Sequence, residues 1–188
     1  NFLGLGFDRW RDDLRLVAKL CLISFPPYVI AHHLYMTELH GWVAGSGMEE
    51  LAKFIPNRSY APTLPATWSE SLTTLQWFVT MAATHLLGVA LPEETFYRGY
   101  LQPRLEAVWK PTRQILGVPI GRAAVVAAAL FAMGHFLGEW NPLRLGPFFP
   151  ALIFAWQRNK TGSIGGAITY HATCNILGEV LFSLYAPN

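Results

Sequence analysis

This sequence predicts an all-α membrane protein: a polytopic bundle of roughly five to six hydrophobic helices, some of them short, with an active site between helices. Three observations lead there. Hydrophobic residues make up 52% of the 188 and charged residues 14%, whereas an average soluble domain carries about 25% charge; the chain has too few charges to coat a water-facing globule. Long apolar runs end in small clusters of lysine and arginine, as membrane-anchored helices do. Inside those runs sit a few ionisable side chains, which are expensive in lipid and therefore mark function by default.

The elements follow in order. Arg9, Arg11, Asp12, Asp13, Arg15 and Lys19 lead into Leu20 to Leu34, an apolar stretch interrupted by Pro26 and Pro27 and expected to form a kinked spanning or partly embedded helix. Residues 36–71 hold Glu38, Glu49, Glu50, Lys53, Arg58 and Glu70 with three prolines, and are expected to lie outside the membrane or at its surface. From Leu72 the apolar pattern continues through Pro92 to Leu101, one long helix kinked at the proline. Arg104, Lys110, Arg113 and Arg122 form the densest basic stretch, expected on the cytoplasmic side. Ala123 to Leu137, Pro147 to Trp156 and Ile164 to Tyr185 are three further apolar segments. Small residues there, such as Ala127, Ala128, Gly134, Gly165 and Gly166, allow close helix contact. Residues 1–71 are thus expected to form an N-terminal helix and interfacial segment, and residues 72–188 the catalytic bundle, in one integrated domain.

Several function classes drop out. A net charge of +2 is too small for a nucleic-acid binder, and the basic residues cluster at the ends of apolar runs instead of along one face. Cys21 and Cys174 both lie in apolar stretches and form no C-x-x-C pair, so neither a disulfide framework nor a thiolate zinc site is expected. The first apolar run is followed by Tyr35, Glu38 and His40 instead of a small-residue exit, so no cleavable leader is expected, and Asn1 in place of Met suggests a processed start.

Three segments carry the chemistry. The first holds Glu93, Glu94 and Arg98; the second has Phe131 and His135 one turn apart; the third has His171 and Asn175, again at i and i+4. At about 1.5 Å per residue, Glu93 lies about 16 Å from Arg104, His135 about 20 Å from Arg122 and His171 about 16 Å from Lys160. Three helices would present polar groups at nearly one depth, which a shared site requires and scattered packing residues do not. Adjacent glutamates lie about 100° apart on a helix, so Glu93 and Glu94 are not expected to point at one spot. An ion pair of Glu94 with Arg98, one turn on, leaves Glu93 free to act as general base on a bound water. His135 would share that water or protonate the leaving amine, while His171 and the Asn175 amide would stabilise the oxyanion.

The segments E-E-T-F-Y-R at 93–98, F-A-M-G-H at 131–135 and H-A-T-C-N at 171–175 resemble the motifs E-E-x-x-x-R, F-x-x-x-H and H-x-x-x-N of the CPBP family of intramembrane peptidases: the CAAX prenyl proteases of the Ras-converting type and the bacteriocin-processing enzymes. The resemblance spans about residues 75–186. It implies Glu93 as the water-activating carboxylate with His135 as its partner, His171 and Asn175 as transition-state stabilisers, and Glu94 and Arg98 as structural support. It also implies membrane lipid and a membrane-anchored, lipidated or precursor peptide as partners, and integral location, with a prokaryotic inner membrane and a myxosortase-like member as the narrower expectation. No cofactor is required by this chemistry; zinc held by Glu93, His135 and His171 stays open, as does a thiol nucleophile at Cys174. The competing class is a non-catalytic membrane scaffold or immunity protein that keeps the fold and binds a partner.

Overall fold

The structure, a computed structural model, describes residues 3–6 and 8–188. In chain order the helices are α1 (Trp10–Thr37), α2 (Leu39–Gly45), α3 (Glu49–Ala52), α4 (Trp68–Ala83), α5 (Leu91–Glu94), α6 (Gln102–Val108), α7 (Arg122–Glu139), α8 (Phe148–Thr161) and α9 (Gly165–Phe182). The strands β1 (Arg58–Tyr60), β2 (Arg113–Ile115), β3 (Val118–Ile120) and β4 (Tyr185–Pro187) are three residues each and pair as two antiparallel ribbons, β1 with β4 and β2 with β3. The chain is therefore an all-α membrane helix bundle with small strand pairs at its loops.

Among the described residues three helical runs are long and apolar enough to cross a membrane: Trp10–Thr37, Trp68–Val108 and Arg122–Glu139. The first begins at Trp10, earlier than the apolar stretch itself, because nothing in the charged prefix breaks a helix and Asp12 and Asp13 fall in its first turn, where carboxylates suit the helix dipole. Pro26 and Pro27 lie inside it.

The second run joins α4, α5 and α6 without interruption, but it is not the simply kinked helix that Pro92 predicts. Two π-helical stretches, Thr84–Ala90 and Thr95–Leu101, flank the α5 turn that contains the proline. A proline removes one i→i−4 bond, and widening the ladder to i→i+5 on both sides accommodates that loss along two turns. At 41 residues the run is about twice the ~20 residues that cross a bilayer core, so its ends reach the surface or beyond.

The described chain divides into two compact units, Asn1–Leu20 with Thr84–Thr173, and Cys21–Ala83 with Cys174–Asn188. In the first, α7 buries Ala123, Ala127 and Phe131 on one line and Ala124, Ala128 and Ala132 on the next, against Ala151, Phe154 and Ala155 of α8. Alanines on both sides let the two backbones approach closely. The long helix and α8 are tied by polar rungs at constant spacing. Arg98 donates to the Ala151 carbonyl, Gln102 to the Ala155 carbonyl, and Asn159 to the Glu106 carboxylate, at 3.0, 3.2 and 2.8 Å. Each pair is 53 residues apart in sequence; three successive turns of one helix thus meet three successive turns of the other in register.

The start of α9 is glycine-paired for a reason. A Cβ on Gly165 would come within 3.0 Å of Asp13 Oδ2, and one on Gly166 within 3.2 Å of Asp13 Oδ1; the glycines let a buried carboxylate sit against the positive end of the helix. In the second unit, Tyr185 on β4 bonds His33 Nδ1 at 2.8 Å and meets the Tyr60 ring edge-on, and Arg58 lies 4.2 Å from the Phe182 ring centre.

Gly99, buried in the second π stretch, faces the Leu3 carbonyl; an added Cβ would lie 2.9 Å from that oxygen. Gly99→Ala is expected to destabilise the protein by about 1–3 kcal/mol, read as earlier thermal unfolding in detergent. Gly138→Ala, where a Cβ meets nothing within 4 Å, is the neutral control.

Candidate active site

Glu94 and Arg98 stand one turn apart across the junction of α5 with the second π stretch, both fully buried. Arg98 Nη1 donates to Glu94 Oε1 at 3.0 Å and Nη2 to the Ala151 carbonyl at 3.0 Å. The guanidinium lies 4.7 Å from the Phe131 ring centre, 5.1 Å from Phe154 and 5.6 Å from Tyr97, so its faces are covered by π clouds that favour a cation. Arginine rather than lysine suits this place: one planar group reaches carboxylate, carbonyl and aromatic faces together.

The pair holds a histidine. His171 of α9 is buried, with Nδ1 2.9 Å from Glu94 Oε1 and Nε2 3.8 Å from Glu93 Oε2. Its ring stacks on Phe154 at 5.0 Å and 17° and meets the edge of Phe131 at 5.6 Å. The two adjacent glutamates stand at different spots, as their angular separation predicts: Glu94 bonds one edge of the imidazole and Glu93 lies 3.8 Å from the nitrogen on the other. Glu93 is consequently not isolated from the Glu94–Arg98 pair but linked to it through His171.

His135 stands on α7, half-buried, with Nδ1 3.0 Å from the Phe131 carbonyl and its ring 4.6 Å from the Phe131 ring. A carbonyl only accepts, so Nδ1 carries the proton and Nε2 presents a lone pair. The same logic places a proton on His171 Nδ1, which faces a carboxylate. His171 Nε2 then donates only when the ring carries both protons. The Phe131 ring touches both histidines. Glu93 keeps about a third of its side chain exposed, and its buried Oε2 has no hydrogen-bond partner.

The structure thus gathers Glu93, Glu94, Arg98 and His171 by direct contact and joins His135 to them through Phe131. Asn175 follows His171 by one turn on α9 and is half-buried; Cys174 is half-buried as well. Among the described residues no three histidine, cysteine, aspartate or glutamate side chains converge as a metal-holding group.

Sequence reasoning missed Phe154 and the Ala151 carbonyl. Their segment reads as a plain short apolar run, although the spacing of Ala151, Phe154 and Ala155 on α8 carries a helical contact stripe that signals a packed face.

Removing Arg98 would leave Glu94 as a lone buried charge. Arg98→Met is expected to cost about 3–5 kcal/mol, measured as loss of thermal stability in detergent. The double variant Glu94→Gln/Arg98→Met should recover part of that loss, because no unpaired charge stays behind.

Comparison with curated proteins and with solved structures gave no match in either. The sequence profile described as type II CAAX prenyl endopeptidase Rce1-like matches residues 75–177, a stretch that takes in the glutamate pair, Arg98, both site histidines and Asn175. With more than half of its length in that match, and with an apolar helical bundle around it, the chain belongs to the Rce1-like family of CAAX-type membrane proteases.

Proposed function

We propose that the protein is an intramembrane endopeptidase in which Glu93 activates a water molecule, His135 assists it, and His171 with Asn175 stabilises the tetrahedral intermediate. What supports this reading most is the division of labour fixed by hydrogen bonding. His135 offers a lone pair at Nε2, His171 is locked by Glu94 with its second nitrogen toward Glu93, and Glu93 Oε2 carries no hydrogen bond. One base, one acceptor and one prospective donor are then at hand without a side-chain nucleophile.

In this mechanism Glu93 takes a proton from water as the water oxygen bonds to the scissile carbonyl carbon, and the carbonyl π electrons pass to its oxygen. The imidazolium form of His171 and the Asn175 amide donate to that oxyanion. On collapse the C–N bond breaks, the carbonyl re-forms, and the leaving nitrogen receives the proton that Glu93 took from water, directly or passed on through His135 Nε2. Glu94 and Arg98 do not touch substrate; they position His171. Water activation of this kind uses no metal. The substrates we propose are membrane-associated or C-terminally anchored proteins cut near the membrane, with trimming of a C-terminal anchor in a prokaryotic inner membrane as the narrowest form.

Cleavage of candidate membrane-anchored precursors in cells, at matched protein levels, tests the assignment. Glu93→Ala and His135→Ala are each expected to lower the rate by about 100- to 10,000-fold, Asn175→Ala by about 100- to 1,000-fold, and Cys174→Ala to leave it intact. Cleavage that survives Glu93→Ala would sink the mechanism, and loss confined to Cys174→Ala would move the chemistry to the thiol.

A further inference from the structure

Residues 109–121 connect two membrane-length runs, Trp68–Val108 and Arg122–Glu139, so this connection lies where both runs leave the lipid. It is a tight hairpin, with Arg113 opposite Ile120, Gln114 opposite Pro119 and Ile115 opposite Val118. The two-residue turn is Leu116–Gly117, with φ of 50° and 74°. Such turns favour asparagine or glycine at both positions, and a leucine with positive φ is strained. This leucine is also 82% exposed, with Ile115 beside it and Val108 at the hairpin base exposed as well.

The hairpin is held rigidly behind that tip. Trp156 Nε1 donates to the Ile115 carbonyl at 2.9 Å, Asn159 Nδ2 to the Pro119 carbonyl at 2.9 Å, and Val118 is buried. At the base, Gly121 leaves no room for a side chain: a Cβ would lie 3.0 Å from Pro111 Cα. Lys110, Arg113 and Arg122 are exposed around it. Residues 109–121 hold no carboxylate, and Glu106 on the preceding helix is turned inward, accepting from Gln102 and Asn159. Arg122 opens α7, whose first turn has no acidic residue and no side-chain cap; a cation there opposes the helix dipole unless an external anion lies between.

We propose that this hairpin is a lipid-reading wedge: Ile115 and Leu116 enter the acyl boundary of the bilayer while Lys110, Arg113 and Arg122 hold anionic phospholipid headgroups. An apolar tip placed at the interface by its own connectivity, ringed by unopposed cations, matches that partner in both parts. The lipid environment compensates the leucine in a turn that water would give to asparagine.

The test uses the full chain with Cys21→Ala and Cys174→Ala, a nitroxide at Leu116→Cys, and nanodiscs of phosphatidylcholine alone or mixed with phosphatidylglycerol. Power saturation by oxygen and by a water-soluble nickel chelate reads the depth of the label. The expected result is an oxygen-accessible, nickel-shielded label that sits deeper in the phosphatidylglycerol discs. That difference should vanish in high salt and in the Lys110→Gln/Arg113→Gln/Arg122→Gln variant. A nickel-accessible label in both lipids overturns the proposal, as does a label hidden from both reagents, which would mean a protein covers the tip. Equal depth in the two lipids, or a difference that survives salt, overturns it too. The readout involves no peptide cleavage, so its failure and that of the peptidase assignment are separate.

Discussion

Everything at the site depends on a buried guanidinium. Arg98 has no contact with solvent, and a charge in that position persists only where opposite charge and hydrogen-bond acceptors meet it. Glu94 and the Ala151 carbonyl do so, and three aromatic rings enclose the rest. Because Arg98 fixes one oxygen of Glu94, and that oxygen also receives His171 Nδ1, the orientation of the imidazole is inherited from the arginine. The path runs from the backbone of α8 through Arg98 and Glu94 to the edge of His171 that faces Glu93.

The rungs below that pair make the inheritance stiff. Gln102 and Asn159 repeat the contact at later turns with the same sequence offset, so the long helix cannot slide along α8 without losing all three at once. In an apolar interior each broken rung leaves a polar group with no water to replace its partner. Hydrophobic burial cannot supply this precision here, since lipid outside is as apolar as the alanine-lined contact between α7 and α8.

Much of this was legible in the sequence. The apolar runs, the all-α class and the three polar segments follow from hydropathy and spacing alone, and Glu94 with Arg98 at i and i+4 reads directly as a pair. What could not be read has a common physical origin. Amphipathic periodicity reports which face meets water, but here Leu22 and Ile23 of α1 point outward as freely as core residues point inward, so the pattern does not reveal which side packs. The stacking of Phe154 on His171 and the role of a main-chain carbonyl at Ala151 leave no trace in residue type.

The π stretches on either side of Pro92 also matter for anyone rebuilding this helix. Each π turn closes its hydrogen bond one residue later than an α turn, and one residue amounts to about 100° of rotation in a regular helix. The phase of Glu93 and Glu94 is therefore out of step with simple counting from Trp68 upstream or from Val108 downstream. A chimera that replaces Thr84–Ala90 with a regular α-helical segment of equal length would deliver the carboxylates on a different face. Grafts and register alignments along this span have to be anchored at the glutamates themselves, with the counting restarted on each side.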